Sequence, residues 1–181
     1  MKKLFLILVL AFSSPFVFAQ STEQNSTLTK KEIRKARLEK QYQLTKGMIE
    51  NKNFVLESDY LQDRYGFRYP VSPMINFVKV EPNNDAIIQI GSNYSIGPNG
   101  VGGVTAKGKI TNWNVTQNQK SKTFYIRMDV MSPIGIYDLN FSVSSGGQAT
   151  ALLTGMSGGR LTFDGDLVPP DSSIVYEGWS I

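Results

Sequence analysis

The carboxylates carry what chemistry the sequence offers. Asp164-Gly165-Asp166 and Glu57-Ser58-Asp59 each place two acids at alternate positions. On an extended strand, residues two apart lie about 6–7 Å from one another on one face. That separation suits a glycosidase pair. The chain has no histidine and no cysteine, which removes Ser-His-Asp and Cys-His nucleophiles, imidazole or thiolate zinc sites and the usual near-neutral base. Leu167-Val168-Pro169 supply none of the ligands a calcium loop needs after its first acids. Both acidic pairs fall on the strand face expected to meet water, where such pairs are ordinarily just solvated. No metal and no cofactor is expected, and catalysis ranks last among the functions considered.

The second stretch of interest is 86–110, AIIQIGSNYSIGPNGVGGVTAKGKI, with Gly91, Gly97, Gly100, Gly102, Gly103 and Gly108 out of 16 glycines in the chain. It reads as a strand, a long glycine-rich loop and a second strand. It lacks G-K-[ST] and leads into a strand, so it is not a phosphate cradle. One reading is a wide turn at the rim of a β-structure. The other is a ligand lid, in which Tyr94, Ile96, Asn99 and Val101 face a pocket shared with Met128 and Tyr137, while Trp113, Tyr65, Phe67 and Tyr69 extend an aromatic rim. A loop this long inside a domain is usually functional or disordered.

These residues must be positioned by other elements. Lys2 and Lys3, the apolar run 4–12 and Val17-Phe18-Ala19 form the three regions of a secretory signal over 1–19. The run is short for a bilayer, and Ser13, Ser14 and Pro15 interrupt it, so a membrane anchor is the weaker reading. Without cysteine there is no lipidated N-terminus and no disulfide, which suits a periplasmic or secreted bacterial protein whose stability comes from its core. Residues 20–28 are polar and are expected to form a disordered linker, followed by one domain over 29–181.

Thr29-Lys30-Lys31-Glu32 is a capping box, and a helix is expected to about residue 51. Leu38, Tyr42, Thr45 and Ile49 share its apolar face, with Ile33, Ala36, Leu44 and Met48 on the shoulder. Seven basic residues against Glu32, Glu39 and Glu50 give this segment +4, the whole formal charge of the chain. Such a helix suits an anionic membrane or nucleic acid. Because its acids interleave as i,i+4 partners, the reading preferred is a solvated outer face on a helix packed against a sheet. No nucleic-acid partner is expected, and the chain is expected to be a monomer.

From residue 53 the period becomes two. Strands are expected at 54–60, 71–80, 86–90 and 105–115, with an aromatic, basic loop over 64–70. Phe54, Leu56, Ser58 and Tyr60 form one face of the first strand. Around Ser132-Pro133 the expected register sets Phe124 opposite Phe141, Ile126 opposite Leu139 and Met128 opposite Tyr137, with Arg127 opposite Asp138 on the other face. The next two hairpins set Phe141 against Ala151, Leu139 against Leu153, Leu153 against Leu161 and Ala151 against Phe163. All three agree on the inner face, and a slip of one residue would turn every pair outward. The expected fold is mainly β: an N-terminal amphipathic helix, then about eight antiparallel strands in meander order, forming an up-and-down barrel or a strongly curled sheet. Small residues at inward positions (Ala106, Gly108, Ala149, Ala151, Gly165) fit a small barrel or leave room for a ligand. The tail from 169 is expected to dock through Val175, Tyr176 and Trp179.

The strings NFVLESDYLQ, VSPMINFVKV, IGSNYSIGPNGVGGVTAKG, MSPIGIYD, SSGGQA and LVP resemble the domain-of-unknown-function 4251 family over roughly 33–178. The resemblance implies a secreted bacterial envelope domain with a helix followed by an antiparallel sheet. It brings no activity, substrate or catalytic residue. The leading expectation is a non-enzymatic envelope protein that holds an apolar or amphiphilic ligand in the β-structure. The alternative is an interaction module that docks on an envelope protein or anionic lipid through the basic helix or the aromatic loop. A carboxylate hydrolase acting on envelope glycans comes third.

Overall fold

A computed structural model of the chain describes residues 29–180, apart from 93, 95, 156 and 157. The expected signal segment 1–19 and linker 20–28 lie outside the described residues. Helix α1 (Lys30–Glu50) begins where the capping box places it. The Thr29 hydroxyl accepts from the Glu32 amide at 3.3 Å, and the Glu32 carboxylate accepts from the Thr29 amide at 2.7 Å. That backbone hydrogen bond, with a second from the Thr29 hydroxyl, holds the Glu32 carboxyl below its ordinary pKa.

Only the second half of α1 has buried residues. Thr45, Met48 and Ile49 are buried, and Tyr42 stacks on Phe124 with ring centroids 5.9 Å apart. Residues 30–40 are all exposed. Ile33, Leu38 and Leu44, expected in the packed stripe, face water instead. The reason is length. A helix of 21 residues runs about 31 Å, whereas an eight-stranded barrel has an interior just wide enough for side chains to fill. The helix overhangs what it covers.

Nine antiparallel strands follow: β1 (Phe54–Asp63), β2 (Arg68–Pro70), β3 (Phe77–Val80), β4 (Asp85–Ile90), β5 (Val104–Asn118), β6 (Thr123–Ser132), β7 (Gly135–Val143), β8 (Gln148–Gly155) and β9 (Arg160–Val168). From β3 onward each pairs with the next, and β1 pairs with both β3 and β9, so eight strands close into a barrel. β2 is an extra strand on β1. Of the two expected forms, the structure takes the closed one.

The expected strand 71–80 is broken. β2 and β3 lie on the same edge of β1, and the chain between them leaves the ladder. Pro70 and Pro73 sit at this break, where a missing amide hydrogen costs the ladder nothing. The Val71 amide donates to Asp59 O (2.8 Å) and the Ser58 amide to Asn76 O (3.0 Å), so the excursion leaves and rejoins at one point of β1. There β1 carries a bulge against β9, between Ser58 and Tyr60. A bulge shifts the alternation by one residue. Tyr60, expected inside with Phe54 and Leu56, is therefore half-exposed, and Leu61 is buried in its place.

The registers expected for β7–β8 and β8–β9 hold: Phe141 faces Ala151, Leu139 faces Leu153, Ala151 faces Phe163 and Leu153 faces Leu161. The β6–β7 register differs by two. Phe124 faces Val143, Ile126 faces Phe141 and Met128 faces Leu139, because the tight turn is centred on Pro133-Ile134 and Ser132 pairs with Gly135. A shift of two keeps every side chain on its face, so the core is the expected one. Arg127 lies opposite Asn140 and reaches Asp138 diagonally at 3.1 Å.

Phe54, Leu56, Ile126, Met128, Leu139 and Phe163 are fully buried and fill the barrel. Ala106, Ala149 and Ala151 are inside as expected. Gly165 is small for a different reason from the one anticipated. A Cβ there would overlap the Glu57 carbonyl and Ser58 Cα, so glycine lets the bulged β1 backbone cross close to β9 and leaves no ligand space. A second cluster (Val55, Phe77 and Ile87, all at 0% exposure) lies on the outer face under Val168 at the end of β9 and Val175 of the tail. The tail's expected docking through Val175 is present, whereas the side chains of Tyr176 and Trp179 are exposed.

Candidate functional site

The glycine-rich loop 91–103 folds onto the outer face of the barrel. Asn99 is buried at its centre. Its amide donates to Thr105 Oγ1 at 3.1 Å, and its carbonyl accepts from the amides of Val101 (3.1 Å) and Gly103 (2.8 Å). Thr105 donates to Gln89 Oε1 at 2.9 Å, which also accepts the Gly178 amide at 2.8 Å. The Trp179 amide donates to Asn99 O at 2.9 Å. Loop and tail are thus tied together through three buried polar side chains. Gly97 has φ +58°, and a Cβ there would overlap the Gly103 amide and Gly102 backbone. The loop crosses itself at this point, and only glycine fits.

The six residues expected to form one pocket are separated. Met128 is fully buried in the barrel and Tyr137 is half-buried at the margin of that core. Asn99 and half-buried Val101 lie on the other side of the sheet, with the tail. Tyr94 and Ile96 project into solvent. Trp113 is also away from the rim. It packs on Phe54 (6.3 Å between centroids) near the end of α1, with the Lys52 ammonium 5.3 Å from its ring.

What the structure does bring together is the first part of the glycine loop and the end of the aromatic segment. Tyr94 and Tyr69 line a cleft of about 620 Å3 at the barrel rim, with Val71 and Ile75. The Gly91 amide donates to the side-chain Oδ1 of buried Asn76 at 3.0 Å, joining the two walls. Tyr94 is 99% exposed and Tyr69 52%. Tyr65 and Phe67 lie in the β1–β2 connection and are exposed as well. The pairing of these two segments was not legible in sequence, because it depends on the break between β2 and β3.

Closure of the barrel also sets the two acidic pairs side by side. Glu57 lies opposite Asp166, and Tyr60 opposite Asp164. Glu57 anchors the tail, accepting from Ser173 Oγ at 2.7 Å and the Ile174 amide at 2.8 Å. Asp164 is ion-paired with Arg68, whose guanidinium lies 3.8 Å from the centre of the Tyr60 ring. Burial pushes the Asp166 carboxyl above its ordinary pKa, and the charges of Asp59, Glu57 and Asp164 add to this. Among the described residues no group of acids is arranged to hold a metal ion, and no helix is long and apolar enough to cross a membrane.

With this geometry in place, comparison with known proteins places the chain. The chain is similar to a crystal structure of a DUF4251 family protein from Bacteroides eggerthii, with a TM-score of 0.62 and 23% identity, covering 74% of this chain and 90% of that one. At that identity the likeness is one of fold. No curated protein matches the chain. The profile of the family described as a domain of unknown function, DUF4251, matches residues 36–167, from the middle of α1 to the end of β9. The chain therefore belongs to the DUF4251 family.

Proposed function

We propose that this protein is a secreted, non-enzymatic binding protein of the bacterial envelope, and that it takes an apolar or amphiphilic small ligand in the rim cleft. The observation that carries the reading is the exposure of Tyr94 and Tyr69 around a cleft whose floor includes Val71 and Ile75. Tyrosine offers an apolar ring and a polar tip, which suits an amphiphile with one end in water. The cleft volume lies in the range usual for small-molecule sites. The barrel interior is occupied by side chains, which favours the rim over the lumen that the sequence suggested. The engagement of Glu57 by the tail and of Asp164 by Arg68 supports the non-enzymatic part of the reading. Export is supported by the composition of residues 1–19.

The test is fluorescence titration of the exported chain with an anilinonaphthalene sulfonate probe, followed by displacement with a twelve-carbon maltoside. Saturable binding that falls at least about tenfold (roughly 1.4 kcal/mol) in Tyr69→Ala/Tyr94→Ala, with an unchanged unfolding midpoint, supports it. Binding that ignores the double substitution, or no binding, overturns it. Recovery from the periplasm of a chain beginning at Gln20 supports export, and full-length cytoplasmic protein counts against it.

A further inference from the structure

The seam where the barrel closes carries a second concavity, with chemistry unlike that of the rim. One rung of the sheet runs across five strands through Tyr125, Ser142, Thr150, Asp164 and Tyr60. The neighbouring rung holds Ser144, Gln148 and Asp166. The alternate positions, Phe141, Ala149, Ala151 and Phe163, face the core, so these two rungs face outward. The middle of each rung is short and hydroxyl- or amide-bearing. One side is raised by Arg68 lying over Tyr60, and the β1 bulge aims Asp59 at the same space. The result is a trough of about 470 Å3.

We propose that this trough is a binding site for a short saccharide bearing hydroxyl and amino groups. Serine and threonine hydroxyls and the glutamine amide both donate and accept, as sugar hydroxyls do, while ionised aspartates only accept. A ligand rich in donors matches a floor of that kind. The carboxylates of Glu57 and Asp164 already have protein partners, but those of Asp59 and Asp166 line the trough without a side-chain hydrogen bond to protein among the described residues. Three aspartates against one arginine leave the site negative. It therefore repels carboxylated or sulfated glycans and favours an ammonium group, for which a charge-assisted hydrogen bond is about twice as strong as a neutral one. The Arg68–Tyr60 stack is a flat, part-apolar wall against which a pyranose ring can lie. The β1–β2 pairing, with Tyr60 opposite Pro70 and Gln62 opposite Arg68, and the bulge hold this wall in place.

The experiment is calorimetric titration of the folded chain with a glucosamine trimer, a neutral maltotriose, a galacturonic acid trimer and trilysine. The glucosamine trimer should bind most tightly, maltotriose more weakly and the galacturonic acid trimer not at all. Asp166→Asn should weaken the glucosamine trimer about tenfold or more, the scale of one lost charge-assisted bond, and Thr150→Val about threefold to tenfold, the scale of one lost neutral bond. Tyr69→Ala/Tyr94→Ala should leave it unchanged, which separates this site from the rim cleft. Thr150→Val removes no charge, so its effect isolates hydroxyl recognition. Trilysine binding as tightly as the glucosamine trimer, equal binding of the anionic trimer, or insensitivity to Thr150→Val would each overturn the proposal.

Discussion

Gln89 donates to the carbonyls of Ile75 (3.2 Å) and Tyr176 (2.8 Å) while accepting from Thr105 and Gly178, so one fully buried amide joins four segments. Gln89→Leu keeps the volume but orphans those partners. It should cost about 2–4 kcal/mol, read as a lower urea midpoint with early release of the tail. In sequence this residue is one polar letter in the apolar run AIIQI. A buried amide inside an apolar strand is the signal that identifies it, and its partners lie as far as 89 residues away. Asp166 gives a second residue-scale prediction. Its folded pKa is raised by burial and by neighbouring acids, so the folded state holds that proton more tightly than the unfolded chain does. The favourable contribution is complete below the ordinary aspartate pKa and is lost as pH rises through the raised value. Asp166→Asn should therefore raise the melting temperature at neutral pH, and the difference should vanish in acid. A constant difference across the pH range would contradict this account.

At the scale of elements, what was local in sequence was legible. The capping box, the start of α1 and two of the hairpin registers follow from neighbours within about twenty residues, and the structure has them. The β6–β7 shift arose because Pro133-Ile134 closes a tighter turn than the one expected. What depended on distant strands was not legible. The bulge that turned Tyr60 outward and the break that separated β2 from β3 are both consequences of pairing along β1. The candidate site suffered most, since Tyr94 and Tyr69 border one cleft only because of that break. The overhang of α1 predicts an uncoupling. Thr29→Ala removes a cap of about 1 kcal/mol, but residues 30–40 are exposed. Circular dichroism should register a loss of helix at ambient temperature, while the near-ultraviolet melting of the barrel stays unchanged. A matching fall in the barrel transition would mean that the first turns are docked.

Across the whole molecule, stability rests on two apolar layers on opposite sides of one sheet. The inner layer is the barrel core, and the outer is Val55, Phe77 and Ile87 beneath Val175. Ending the chain after Val168 uncovers three side chains that are fully buried in the intact protein. Each is worth roughly 1.5–3 kcal/mol when removed from water. The shortened chain should melt at a markedly lower temperature and bind a hydrophobic dye along the β3–β4 face. Retention of the parent melting curve would show that the tail is only draped there. That tail also sets a polarity. It leaves β9 near the helix-covered end and finishes at Trp179, bonded to Asn99 in the glycine loop at the rim. Among the described residues, α1 and Trp179 thus lie at opposite ends of the barrel. A molecule grafted to a solid support through the exposed first turn of α1, at Lys30, would turn its tyrosine-bordered mouth toward the bulk fluid, whereas one grafted through the exposed Trp179 would have that mouth pressed against the support.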